Sequence, residues 1–283
     1  MNTEVVSDLT LQPDSTLHPI SALELAHVDD APTLGETPHL EWVSPTSLLV
    51  DEHYQRKLSR KSVKLIRTIV ENFSWCRLKP PIVVKTSTGL HVIDGQHTAI
   101  ASATIGLEEI PVFVVDAPTV PDRARAFVGH NTDRVIVSPI DVFHALLAAG
   151  DAEALTVDAV CRRAKVTVRH LSQSSAIGPG DTMAVISIRK VIARQGELRA
   201  QRILEVLNGA GCMPIGSAEL LAVEHILCNT RGIPPAKQLT DIIRSDGPSG
   251  IRAARGEASS TRVPLWRVLV TRWSSRLPQS AAA

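Results

Sequence analysis

Apolar positions in the first half of the chain recur with two different periods. Val63, Ile66, Ile69, Val70 and Phe73 lie three or four residues apart, which predicts an amphipathic helix over 61–73 with Ser59 as its N-cap. Pro80–Pro81 breaks that pattern. Ile82–Lys85 and Leu90–Ile93 are β-branched runs, and the turn chemistry of Thr86–Gly89 between them predicts a hairpin. Gly95 follows the second run, and Ala-rich Gln96–Ile105 predicts a helix that Gly106 ends at the C′ position. Ile110–Val115 is the next strand. Strand, helix and strand in succession imply an α/β unit.

Beyond Pro121 the helical period dominates. Helices are expected at 122–128, at 139–149 with Pro139 in the first turn, across 151–209 with a break at 172–181, at 217–228, and at 235–246 and 263–276 with a Gly/Ser-rich loop between the last two. The expected class is α+β, with four parts: an acidic tail at 1–38, an α/β domain at 39–120, a helical extension at 121–150 and an all-helical domain at 151–283.

Composition changes this picture in three ways. Hydrophobic residues make up 44% and aromatics only 3%, so the core must be built from Val, Ile, Leu and Ala. No apolar run approaches a membrane span, and the first ten residues have neither a basic nor an apolar region of a secretory leader. The expectation is therefore a cytoplasmic protein. The four cysteines form no CxxC pair and no zinc-finger spacing, so they read as free thiols. The net charge of +1 conceals an asymmetry: residues 1–40 hold seven acids and no Lys or Arg, leaving 22 acids against 30 bases and a net +8 beyond them. Arg56, Lys57, Arg60, Lys61, Lys64 and Arg67 form one basic cluster, and seven arginines between Arg244 and Arg276 form another. Such clusters are either solvated faces or phosphate footprints. On the second reading Arg56, Lys57, Arg60, Lys61 and Lys64 are the DNA-binding candidates.

The chemistry concentrates in V-I-D-G-Q-H at 92–97, where a strand ends and a helix begins. A helix N-terminus presents unpaired N–H groups and the positive end of the helix dipole, which together favour an anion. Gly95 would admit a close approach by phosphate, with the N–H groups of Gln96, His97 and Thr98 pointing at it. Asp94 either caps the helix or holds Mg²⁺ between itself and the phosphate. His97 is either a structural residue or a donor and acid/base group that titrates near neutrality.

Three segments carry a family resemblance. GQHTAIASATIGLEEIPVFVV resembles the box G-E-R-R-x-x-A…G-x-x-x-I-P-V-x-V of the ParB family, and is closer to its DGQHR phage and plasmid variant. YQRKLS at 54–59 resembles the family's YQRxLS. HNTDRVIVSPID at 130–141 resembles its second box, E-N-x-Q-R-x-x-L-N-P-I-E: Asn131, Arg134, Pro139 and Ile140 match, and Ser138 and Asp141 are conservative replacements. The resemblance covers about residues 41–150. It implies the ParB/sulfiredoxin-like fold, a small mixed sheet with helices, and a pocket for a nucleoside triphosphate (CTP or ATP) with Mg²⁺. On that pattern Gly95, Gln96, His97 and Thr98 line the phosphates, Asn131 sits by the metal and Arg134 contacts phosphate or fixes the second box. The sequence departs from the pattern at Thr98, where the variant has arginine, and at His130, where ParB has an acid. Gln96 stands in place of the sulfiredoxin cysteine, so sulfiredoxin activity is not expected.

Residues 156–173 bear a superficial likeness to a helix-turn-helix, with Val157, Val160 and Ala164 packing its first helix. At 261–277, Trp266, Leu269, Val270 and Trp273 share one helical face, suited to packing, dimerisation or DNA. Three functions remain open on the sequence: a ParB-like nucleotide- and DNA-associated protein, possible homodimer included, in a plasmid or phage setting of partition or regulation; an enzyme (nucleoside triphosphatase, nuclease or kinase) with His97 and Asp94 as catalytic candidates; and a degenerate interaction module.

Overall fold

The computed structural model describes residues 19, 20, 22, 35–55, 57–133, 136–169, 177–228 and 234–278. Most of the acidic tail, Arg56, Arg134 and the stretch 170–176 lie outside the described residues. The chain divides into two compact units, Met1–Arg134 and Val135–Ala283, so the stretch 121–150 falls in both. The fold class is α+β.

The first unit is built on β1 (His39–Val43), α1 (Arg60–Glu71), β2 (Ile82–Thr86), β3 (Gly89–Asp94), α2 (Gln96–Thr104), β4 (Ile110–Val115) and α3 (Val120–Thr132), with short 3-10 turns at Pro45–Ser47 and Trp75–Arg77. The sheet order is β1-β4-β2-β3, with β2 parallel to β4 and the other two pairings antiparallel. Strand alternation sends Val83, Val92, Val112 and Val114 to one face, where they pack with Ala99 of α2. Val84 and Ile93 take the other face, packed with Ala126 and Phe127 of α3. The hairpin, α2 and β4 fall where the pattern predicts them. Helix α1 starts after the predicted cap: the Ser59 hydroxyl accepts from the Ser62 amide at 3.1 Å, and a reciprocal bond completes a capping box. Its buried stripe is narrower than the period implies, since Ile66 is buried while Val63 is 55% exposed.

Two expectations need correction here. Strand β1 was not anticipated, because HLEWV is short, alternates weakly and is fixed by its pairing with β4. The helix expected at 122–128 runs from Val120 to Thr132. Thr119 and Asp122 form its capping box with Pro121 in the first turn, and the helix runs through Gly129 to Thr132. His130 and Asn131 are therefore helical, in the last turn.

The second unit comprises α4 (Pro139–Ala148), α5 (Ala152–Arg163), β5 (Thr167–Val168), β6 (Asp181–Thr182), α6 (Val185–Gln195), α7 (Glu197–Gly209), α8 (Ser217–Cys228), α9 (Ala236–Thr261) and α10 (Leu265–Ser274). One core joins these helices, with Val160, Ile188, Ile203, Leu207, Ile226 and Leu269 among its members. Val157, Val160 and Ala164 are buried as expected. A second helix of a helix-turn-helix does not follow directly. Lys165 turns to positive φ, and the β-branched Thr167–Val168 pairs in parallel with Asp181–Thr182.

The Gly/Ser-rich loop expected after residue 246 is also corrected. The chain bends at Gly247 (φ 58°, ψ −169°) and resumes as helix to Thr261, with Pro248 in the first turn of the new segment, where a proline is tolerated. Asp246, at the bend, is 5% exposed. Its carboxylate accepts from Arg272 Nε at 2.7 and 2.8 Å and from Trp273 Nε1 at 3.1 Å, and Arg276 lies 3.0 Å away. Two arginines of the second basic cluster thus serve packing. Trp273 is fully buried. The cysteines are free thiols, and burial pushes Cys161 and Cys212 up to about 12, well out of the reactive range.

Candidate functional site

Strand β3 ends at Asp94, and Gly95 turns the chain into α2 through the left-handed region (φ 91°, ψ 14°). Gly95 itself is the N-cap residue and brings no side chain of its own to cap the helix. The structure itself gives a reason for the glycine. A β-carbon at residue 95 would stand 2.8 Å from Pro81 Cα, so the glycine admits the neighbouring chain as well as the turn.

The turn is held from behind by the YQR segment. Gln55 is buried, and its side-chain amide donates to the carbonyls of Val92 (3.2 Å) and Ile93 (2.8 Å). The Tyr54 hydroxyl donates to the same Val92 carbonyl at 3.3 Å, and its ring lies 6.0 Å from that of Phe127 on α3. Burial, then the charge of Asp51, raise the Tyr54 phenol above its ordinary value, so it stays a donor at neutral pH. Arg123, also buried, donates to the carbonyls of Ala117 and Pro118 and fixes the entry to α3.

These supports surround a cavity of about 400 Å³ inside the first unit. Asp94, Gly95, Gln96, His97, Thr98 and Asn131 all line it. Residues 35 positions apart in sequence meet because α3 passes across the end of β3. Leu65, Ile69 and Phe73 give the cavity an apolar wall, to which Leu78 and Phe127 add. Arg77 and Lys79 are its lining cations, and neither they nor Gln55 were anticipated as site residues. The signal for Gln55 lay in YQRKLS. For Lys79 it was only its place before Pro80–Pro81. His130 lines an adjoining cavity with Lys79, Asp94 and Asp133. The remainder of the second box is a helix start: Ser138 accepts from the Asp141 amide at 3.2 Å, the reciprocal bond is present, and Ile140 is buried. The Ser and Asp replacements thus preserve a capping box.

Asn131 donates from Nδ2 to the Phe127 carbonyl at 2.7 Å, which leaves Oδ1 as its acceptor. With Asp94 it supplies one amide oxygen and one carboxylate. Among the described residues no group of three or more His, Cys, Asp or Glu is placed to hold a metal. The pair does not form a cage, but it fits Mg²⁺ arriving with phosphates, which characteristically takes only one or two protein oxygens.

The DNA candidates separate. Lys57 lies 3.6 Å from Glu52. Arg60, Lys61 and Lys64 are exposed on α1, with Arg67 one turn further. No helix among the described residues is long and apolar enough to cross a membrane.

Solved structures similar to this chain include ParB chains. ParB from Caulobacter crescentus complexed with CTP-γ-S is 10% identical, with 83% of this chain and 98% of that one covered and a TM-score of 0.34. The same protein complexed to the centromeric parS site is 12% identical, covering 73% and 92%, with a TM-score of 0.28. A Pnob8-like ParB-N domain is 14% identical, covering 84% and 96%, with a TM-score of 0.29. No family model and no curated protein matches the chain. These scores describe a likeness only; what the pocket can bind is decided by its own residues.

Proposed function

We propose that this chain is a ParB-like nucleotide-binding and DNA-associated protein, acting in plasmid or phage partition or regulation. The observation that carries the reading is the cavity that gathers Gly95–Thr98 and Asn131. It joins a helix start with glycine at its N-cap, suited to phosphate, to an apolar wall of Leu65, Ile69 and Phe73, suited to a base. Gly95 shapes the turn, Gln96, His97 and Thr98 present amides to the phosphates, Asn131 with Asp94 holds the accompanying Mg²⁺, and Arg134 belongs with the phosphate contacts. The basic face of α1, with Arg56 and Lys57 before it, meets the DNA backbone.

Calorimetric titration of the full chain with CTP and with ATP, each with and without Mg²⁺, tests the nucleotide reading. Saturable binding that His97→Ala plus Asn131→Ala abolishes supports it; binding that survives both changes places the site elsewhere. A hydrolytic reading is favoured by one observation, that Asp94 and His97 line the same cavity. Phosphate release in the same samples, with and without DNA, decides it: no turnover leaves a binder rather than a triphosphatase.

A further inference from the structure

The segment that brings cations to this cavity is held by prolines. After the 3-10 turn Trp75–Arg77, Leu78 leaves in extended conformation (φ −64°, ψ 131°). Lys79 precedes a proline, which disfavours the helical region for it, and Pro80 and Pro81 fix their own φ. Pro81 is anchored twice. Its carbonyl accepts from the Phe113 amide at 2.9 Å, and its Cα fills the space that a β-carbon on Gly95 would need. Two residues of chain span at most about 7 Å, so the backbone of Lys79 is tethered within that distance of the atom packed against the start of α2.

The Lys79 side chain lines both the main cavity and the adjoining one, and Asp94 lines both as well. Arg77 lines the main cavity. Neither cation has a side-chain hydrogen bond or ion pair with another described residue, so both charges are open to a ligand. The first turn of α2, which lines the same cavity, carries Gln96, His97 and Thr98 and no acid or permanent cation.

We propose that Lys79, assisted by Arg77, is the cation that faces the anionic end of the ligand, supplying from the segment after the Trp75–Arg77 turn the charge that Thr98 does not supply from α2. The inference rests on the reading of this cavity as a nucleotide site. An ammonium on a flexible stem acts as a point charge toward phosphate, so it can serve from outside the helix without the fixed fork geometry of an arginine. Lys79 and Asp94 line the same two cavities, so the ammonium offsets the repulsion between that carboxylate and a phosphate there.

The test is calorimetry on the full chain with CTP, ATP, cytidine, adenosine and inorganic tripolyphosphate as probes. The proteins are wild type, Lys79→Ala, Lys79→Arg, Arg77→Ala, and Lys79→Ala combined with Thr98→Arg. Lys79→Ala should weaken the triphosphate nucleotide at least tenfold and tripolyphosphate similarly, while nucleoside affinity changes less than twofold. Lys79→Arg should retain binding, Arg77→Ala should show a smaller loss, and Thr98→Arg should restore most of what Lys79→Ala removes. Triphosphate affinity in Lys79→Ala equal to wild type overturns the proposal alone. An equal loss for nucleoside and nucleotide also overturns it, as a packing effect. If wild type binds none of the probes, the nucleotide reading itself fails. Lys79 is exposed, so thermal melting should be the same in the Lys79 variants and wild type, and a lowered melt would count against a pure charge role.

Discussion

At Gly95 a positive φ and a close neighbour make the same demand. A non-glycine residue in the left-handed region costs about 1–2 kcal/mol, and here a β-carbon would also collide with Pro81. Gly95→Ala should therefore lower the unfolding free energy of the first unit by about 2 kcal/mol or more, read from urea denaturation; a loss below about 0.5 kcal/mol would show that the turn has relaxed. Ligand effects at the turn are better read from His97→Ala, whose backbone is ordinary helix. Asp246 is the corresponding residue in the second unit. Burial would raise its carboxyl, but hydrogen bonds from Arg272 and Trp273 and the charges of Arg272 and Arg276 outweigh it and hold the group below the usual carboxylate range. A depressed folded value contributes stability that is fully present above the unfolded value near pH 4 and is lost as pH falls through the folded one. Asp246→Ala should cost about 1–3 kcal/mol, because it leaves the buried Trp273 Nε1 donor unpaired while the arginines can turn to water. Acid titration of the melting temperature should lose part of its slope below pH 4 in Asp246→Asn, and an unchanged slope would contradict the linkage.

At the scale of elements, three helices begin with the same device. Ser59, Thr119 and Ser138 each accept from the N3 amide while the N3 side chain returns the bond. Ser138→Ala should cost about 1 kcal/mol, seen as a lower denaturant midpoint with an unchanged slope. A neutral result would mean that α4 is set entirely by the packing of Ile140 and Phe143. The caps explain why helix starts were legible. A cap is a local exchange between residues three apart, and its donors and acceptors stand together in the sequence. Helix ends were less so. Helix α3 runs through Gly129 into the second box, whereas α9 breaks at Gly247 and restarts at once on Pro248.

The whole molecule has separate cores: two clusters on the two faces of the sheet in the first unit, and one among the helices of the second. Residues 35–133 and 136–278, expressed alone, should each unfold cooperatively; a fragment lacking a sigmoidal transition would show that its core is incomplete. The charge distribution makes a second prediction at this scale. If the α1 face meets DNA, the affinity for a random duplex should fall steeply with salt. Neutralising Arg60, Lys61, Lys64 and Arg67 together should reduce the slope of log K against log salt by up to about 3–4, since each phosphate contact contributes roughly 0.9. Fluorescence anisotropy across a salt series measures this, and an unchanged slope removes α1 from the interface.

The sequence by itself determined the elements with short-range causes. The hairpin, α2 and β4 follow from period, turn residues and caps, and DGQHT with its flanking boxes marked one wall of the site. What only the tertiary structure decided depends on residues far apart in the chain. Strand β1 exists because β4 offers it an edge. Asp246 meets arginines 26 and 30 positions away. Gln55 reaches carbonyls 37 and 38 positions away to fix the turn from behind. Lys79 comes to the cavity because Pro81 packs where Gly95 has no side chain. Periodicity and capping report the free energy of neighbours along the chain, whereas a pocket is made by contacts that exist only after the sheet has closed.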